Sequence, residues 1–215
     1  MKITIATCII IIFLSTCMAI YKDVFVWEIT FSTWLQSFSL GKFHFLREWI
    51  FFMGIRGVAG ILMVLLFIFF WSSNKRTEAI FLVLISVADL MNILIKEIIG
   101  RPRPSQDIVD VVIGYGGIQG SGFPSGHALH VVLFYGFICY LMFKFLGKRI
   151  LTITIFWLVA AYILITGLWL IYDGRHWAMD VLGGYSYGAF YLSVLIFNYN
   201  AQRSKTQTID TKSPK

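Results

Sequence analysis

The stretch FPSGHALHVVLFYGF (residues 123–137) decides how the rest of the chain is to be understood. Apart from His130 it reads, from Ala128 onward, as the hydrocarbon of a membrane span. Yet Pro124, Ser125, Gly126 and His127 stand at its mouth. Polar and ionisable groups in or near a bilayer are costly and mark function by default. His127 therefore needs companions at the same depth, and the remaining sequence must supply them.

The span itself agrees with the composition. The 215 residues are 58% hydrophobic and only 13% charged, where a soluble domain carries about 25% charged residues. The apolar residues fall into runs of roughly twenty, the length that crosses about 30 Å of hydrocarbon. Six such runs can be drawn, over 3–20, 50–71, 79–99, 125–145, 151–172 and 178–197. The expected fold is all-α, an integral membrane six-helix transmembrane bundle forming one domain over 1–197. A polar segment, 198–215, lacks apolar periodicity and is expected to be a disordered cytoplasmic tail. The net charge of +7 does not point to nucleic acid, because the basic residues lie mostly between or beyond the apolar runs. Cys8, Cys17 and Cys139 are odd in number and dispersed in apolar segments, which argues against a disulfide framework or a zinc site. The apolar run at 3–20 is longer than a usual signal-peptide core and is read as an uncleaved first span.

Lys and Arg orient the spans. Lys2, Lys75, Arg76, Lys144, Lys148, Arg149, Arg203, Lys205, Lys212 and Lys215 all fall on one set of connections. Both termini are accordingly expected in the cytoplasm, with segments 21–49, 100–124 and 173–177 on the outer face. Within 21–49, Val24, Trp27, Phe31, Trp34, Leu35 and Phe38 repeat at helical spacing, interleaved with Glu28, Ser32 and Gln36. That pattern suits an amphipathic helix lying in the interface, apolar face down. A loop with aromatic anchors fits the same residues.

Three polar clusters map to this outer side: LIKEIIGRPRPS (94–105), PSGH (124–127) and YDGRHWAMD (172–180). Each alone has an ordinary explanation. Lysines and arginines at span ends snorkel to headgroups, proline commonly opens a helix, and HWAMD could be an aromatic belt with a capping acid. Together they place two histidines, an aspartate and several cations at one depth, and that combination suits phosphate chemistry. Lys96 and Arg103 give a point charge and a planar fork for phosphate oxygens. The amides of Ser125, Gly126 and His127 open the fourth span as an anion site reinforced by the helix dipole. His176 and Asp180, four apart, share a helix face if the sixth span begins here. The carboxylate can then hold one ring nitrogen and leave the other free to attack. His127 offers a second imidazole, able to protonate a departing alkoxide.

These residues resemble the three motifs of the type 2 phosphatidic acid phosphatases. KEIIGRPRP fits Lys-x6-Arg-Pro with Lys96, Arg103 and Pro104 in register, and PSGH is the second motif letter for letter. GLWLIYDGRHWAMDVLGG resembles the third, Ser-Arg-x5-His-x3-Asp, through His176 and Asp180. The resemblance covers most of the chain and implies a phosphatase of membrane lipid phosphates that needs no metal or other cofactor. Its substrates would be of the phosphatidic acid, phosphatidylglycerol phosphate or undecaprenyl pyrophosphate type, in the cytoplasmic membrane of a bacterium. It also implies His176 as nucleophile forming a phosphohistidine, Asp180 as its activator and His127 as acid. Lys96, Arg103, Ser125 and Gly126 would hold the phosphoryl group.

One departure stands out. The Ser-Arg pair of the third motif falls on Trp169 and Leu170, so a clamp arginine is missing. Loss of one preorganised donor costs about 2.7–4 kcal/mol of transition-state stabilisation. Arg175 and Arg101 are the candidates to replace that charge. The alternative is a degenerate member that binds or moves a lipid phosphate without efficient turnover. A metal site from His127, His130 and Asp180 fits less well, since His130 more naturally packs against neighbouring spans. Asp89, two turns before Lys96 on the same face, could support Lys96 through Asn92 or pair with another span.

Overall fold

The structure, a computed structural model, describes residues 2–21, 24–39, 45, 48–49, 56–112 and 120–212. Among these are seven helices: α1 (Lys2–Ile20), α2 (Val26–Gln36), α3 (Arg56–Ser72), α4 (Arg76–Ile99), α5 (Gly126–Leu146), α6 (Ile150–Tyr172) and α7 (Ala178–Lys212). The described residues form no β-strand. α4, α5 and α6 are each long and apolar enough to cross a membrane, and α1 and α3 contain shorter apolar helical stretches. The start of the second expected span, 50–55, lies outside the described residues, as does 113–119 in the outer connection.

The bundle is apolar on its outside as well as in its core. Val64, Leu65 and Ile68 of α3, Leu84 and Val87 of α4, and Trp157, Leu158 and Leu164 of α6 are all exposed. A surface of this kind and extent has hydrocarbon as its natural solvent, and the chain is an integral membrane protein. Inside, Leu82 and Ile85 of α4 meet Leu129, Leu133, Phe134 and Phe137 of α5 and Leu195 and Tyr199 of α7. α5 and α7 pack closely because α7 carries glycines on the shared face. A methyl group at Gly184 would stand 2.5 Å from the Ser125 carbonyl, and one at Gly188 would stand 2.7 Å from that of Leu129. α1 runs along α7, joined to it by a Thr16–Tyr187 hydroxyl hydrogen bond of 3.1 Å.

Helix ends place the polar clusters. α4 stops at Gly100, whose left-handed backbone (φ 61°) returns its N–H to the Lys96 carbonyl. That stop leaves Lys96 in the last turn, with Arg101 and Arg103 just beyond it. α5 is capped by Ser125, whose hydroxyl accepts the Ala128 amide at 3.4 Å. The sharp link from α6 to α7 needs Gly174 (φ 62°), where a side chain would also strike the Asp110 carbonyl. The C-terminal end of α4, the N-terminus of α5 and the α6–α7 link thereby share one end of the bundle.

Two expectations are corrected. α2 is helical and has an aromatic face, but its polar stripe is not the solvent side. Glu28 and Ser32 are buried, and Gln36 bonds the Asp110 and Tyr172 carbonyls at 2.7 and 2.9 Å. Val26, Trp27 and Trp34 face outward instead. Glu28 and Gln36, turned inward, find partners at the site end of the bundle, while Trp27 and Trp34 face outward. The second correction concerns the polar segment after 197: α7 continues through it to Lys212. Its first turns are tied down by Tyr199 to Glu78 (2.7 Å), by Tyr140 and Lys144 to Asn200 (2.6 and 2.8 Å), and by Arg203 near Glu78 (3.6 Å). Composition alone does not register these long-range contacts.

Candidate active site

His176 sits in the link just before α7, buried between two opposite influences. Its Nδ1 is 3.5 Å from Asp180 Oδ2, loose for a hydrogen bond, and its Nε2 is 3.2 Å from Arg103 Nη1. A guanidinium can only donate, so Nε2 must accept and the ring proton belongs on Nδ1, facing the carboxylate. Burial lowers the imidazole pKa to about 3, helped by the Arg103 and Lys96 charges and opposed by Asp180. The ring is therefore neutral at physiological pH, with its lone pair aimed at a cation. A nucleophile for phosphorus requires that state.

The backbone fixes this arrangement. The amides of Arg175 and His176 both donate to the Leu170 carbonyl, at 3.0 and 3.3 Å, closing α6 into the link. Asp180 Oδ2 accepts the Trp177 amide at 3.0 Å, and the Asp180 carbonyl accepts the Ser125 amide at 2.9 Å. Arg103 Nη1 donates to the Arg175 carbonyl at 2.9 Å and its Nε to the Gly120 carbonyl at 3.2 Å. Lys96 Nζ donates to the carbonyls of Ser121 and Gly122, at 2.8 and 3.2 Å. Burial, with a smaller contribution from Arg175, lowers the Arg103 pKa although Asp180 raises it. Two cations and a neutral imidazole thus converge on one spot, an arrangement that favours a bound anion.

Most of the expected residues meet here, though several in altered roles. Gly126 and His127 form the first turn of α5, with their amides at its N-terminus. The Ser125 amide is not available to a ligand as expected, being bonded to Asp180, and its hydroxyl serves as the cap. Arg175 lies close enough to Arg103 to influence its charge and stands 3.7 Å from the buried Asp173. Leu170 is fully buried against Ala128, Trp169, Ile171, Ala178 and Val181, so the place of the missing arginine is filled by core. Arg101 is corrected from a phosphate clamp to a buried ion-pair partner. It is 0% exposed, with Nη1 2.7 Å from Asp180 Oδ1 and Nη2 2.6 Å from Glu28 Oε2. Burial works against its charge, but the Glu28 hydrogen bond and the Asp180 and Glu28 charges outweigh it and raise the pKa. His130 pairs with Asp89 at 2.8 Å, away from Asp180. Among the described residues no group of three or more His, Cys, Asp or Glu side chains could hold a metal ion.

Two residues that matter here escaped the sequence reading. Glu28 belongs to a segment 73 positions before Arg101, and its signal was a narrow Glu28–Ser32–Gln36 stripe on an otherwise aromatic helix. Gly122 donates its amide to the Arg101 carbonyl at 2.7 Å. A side chain there would come within 2.7 Å of Asp180 Oδ2, so only glycine lets the loop pass the carboxylate.

Comparisons with known proteins place the chain in a family and match its fold. Residues 76–204 match the family model of the PAP2 superfamily. Among solved structures, the chain is similar to the first transmembrane PAP2-type phosphatidylglycerolphosphate phosphatase from Bacillus subtilis. The TM-score is 0.73 at 21% identity, with 90% of this chain and 94% of that one covered. A search of the curated proteins finds no match.

Proposed function

The chain belongs to the PAP2 superfamily, and from that premise we propose that it is a phosphatase of membrane lipid phosphates working through a phosphohistidine. The observation that carries this reading is the His176 ring, neutral, with Nε2 facing Arg103 and Nδ1 facing Asp180. The phosphoryl group takes the place between Nε2, Arg103, Lys96 and the first amides of α5. The Nε2 lone pair forms the N–P bond as the P–O ester bond breaks. The electron pair leaves with the lipid oxygen, and His127 supplies its proton. The ring keeps its Nδ1 proton and becomes cationic, and the ionised Asp180 draws that N–H closer, which shortens the loose 3.5 Å contact. Water then attacks phosphorus and His127 takes its proton, while the N–P bond breaks with its electron pair returning to Nε2, and inorganic phosphate leaves.

The basic residues on the opposite connections support a cytoplasmic placement of both termini and an outward site. A substrate of the phosphatidic acid, phosphatidylglycerol phosphate or polyprenyl diphosphate type fits a site at the end of a bundle whose outer surface is apolar. Lys96 and Arg103 supply the charge that a metal would otherwise provide, so turnover is expected without one.

A second reading rests on Leu170. With that position closed by core, a clamp donor is gone, and a protein that binds a lipid phosphate without efficient turnover would show the same packing. The deciding experiment assays purified protein in detergent with excess chelator against a panel of lipid mono- and diphosphates. Phosphate release supports the phosphatase. Tight binding of the same lipids without release supports the second reading, and activity that returns only with magnesium overturns the metal-free mechanism.

A further inference from the structure

Glu28 is the most completely satisfied buried acid at this end of the molecule, and nothing in the mechanism above uses it. It is 0% exposed. Its Oε1 accepts Arg101 Nη1 at 3.3 Å and the Met179 amide at 3.1 Å. Its Oε2 accepts Arg101 Nη2 at 2.6 Å and its own helix's Phe25 amide at 3.2 Å. The same guanidinium holds Asp180 Oδ1 at 2.7 Å. Three elements meet in this cluster: α2, the connection after α4, and the first turn of α7. Replacing such a cluster by apolar side chains is often neutral or stabilising, so stability alone is a weak reason for its presence.

We infer that Glu28 is a positioning residue for the reaction at His176, acting through Arg101 on Asp180; the inference rests on the phosphohistidine reading. Two carboxylates and one guanidinium leave one unit of negative charge in the cluster. That charge faces Nδ1 of a ring that turns cationic as Nε2 takes the phosphoryl group. Without Glu28, Asp180 is the one carboxylate among the described residues paired with Arg101, and those two charges cancel when the imidazolium develops. Glu28 therefore keeps Asp180 available to the histidine. It also makes α2, with its outward Trp27 and Trp34, a part of the site and not merely a support at the membrane boundary.

The test compares wild type with Glu28→Gln and with the double variant Glu28→Gln/Arg101→Gln, which restores the cluster's single negative charge. The readout is the initial rate at which His176 is labelled by phosphoramidate, whose P–N bond breaks with release of ammonia. Mass spectrometry after alkaline quench locates the label, and lipid phosphate release is measured in parallel. Glu28→Gln is expected to slow labelling roughly ten- to a hundredfold, with half-saturation changed by less than about threefold. The double variant is expected to recover to within about tenfold of wild type and above the single variant. A purely structural tie between α2 and the bundle predicts the reverse, since both variants lose the ion pair. A double variant no faster than Glu28→Gln, or a Glu28→Gln rate equal to wild type, overturns the inference. If Glu28→Gln does not fold, the double variant must still label within about tenfold of wild type, and slower labelling overturns the inference. Wild type that labels but releases no phosphate from any lipid overturns the proposed function while the labelling rates still decide the role of Glu28. Wild type that takes no label overturns both.

Discussion

Two histidine–aspartate pairs stand out among the described residues, and the tighter one is not the candidate nucleophile. His130 Nδ1 lies 2.8 Å from Asp89 Oδ2, bridging α5 and α4, with side-chain exposures of 13% and 37%. Its ring stacks on Phe134 at 5.5 Å, and its Nε2 is buried without a hydrogen-bond partner among the described residues. His176 Nδ1 lies 3.5 Å from Asp180 Oδ2, in the same turn of chain. What distinguishes His176 is its far nitrogen, which faces Arg103 where an anion would sit. A carboxylate orients an imidazole in both places, and among the described residues it is His176 that has Arg103 and Lys96 nearby to gather a phosphate. On the proposed function, reactivity lies in what surrounds Nε2, and experiment can break that contrast.

The largest effect should come from His176→Ala. Turnover and any acid-labile phosphoenzyme should fall by about 10⁴-fold or more, as when a nucleophile is removed, whereas detergent-purified protein should remain monodisperse. Arg103→Ala tests the far-nitrogen argument itself. Loss of a preorganised donor to the developing charge should lower kcat/KM by about 10²–10³-fold, measured as phosphate release at matched protein concentration. Arg175→Ala should cost less, roughly tenfold, because Arg175 contributes charge beside Arg103 without touching Nε2. If Arg175→Ala has no effect, Lys96, Arg103 and the α5 amides suffice despite Leu170. The smallest effect belongs to the other pair. His130→Phe should leave kcat/KM within about threefold of wild type, its cost appearing as a shift in thermal stability. A loss approaching that of His176→Ala would erase the distinction drawn between the two pairs.

How much of this was legible in the sequence follows from which contacts are local. The positions of Lys96, Arg103, His127, His176 and Asp180 at one end of the bundle could be read from span lengths and motif order. The His176–Asp180 pairing could be read as well, since four residues separate them. The role of Arg101 could not, because its partners Glu28 and Asp180 lie 73 and 79 positions away. With those partners hidden, an arginine two residues before Arg103 reads as a second phosphate ligand. Glu28 itself was hidden by the usual logic of amphipathic helices. A polar stripe is assigned to water unless something in the fold is known to receive it, and here Arg101 and the Met179 amide receive it. The extension of α7 was missed for a similar reason: Tyr199, Asn200 and Arg203 are anchored by residues of α4 and α5. Asp89 and His130 illustrate the converse. Their depth was legible, but the sequence left open whether Asp89 served Lys96 or another span, and the structure pairs it with His130.

The central claim is that His176 carries the phosphoryl group from a lipid phosphate without a metal. The measurement is rapid quench of wild type with a radiolabelled lipid phosphate in excess chelator, followed by peptide mapping of the acid-labile label. The account predicts label on His176 within the first turnover, absent from His176→Ala and still present in His130→Phe. Phosphate release with no label at any time point, or label on another residue, would contradict it.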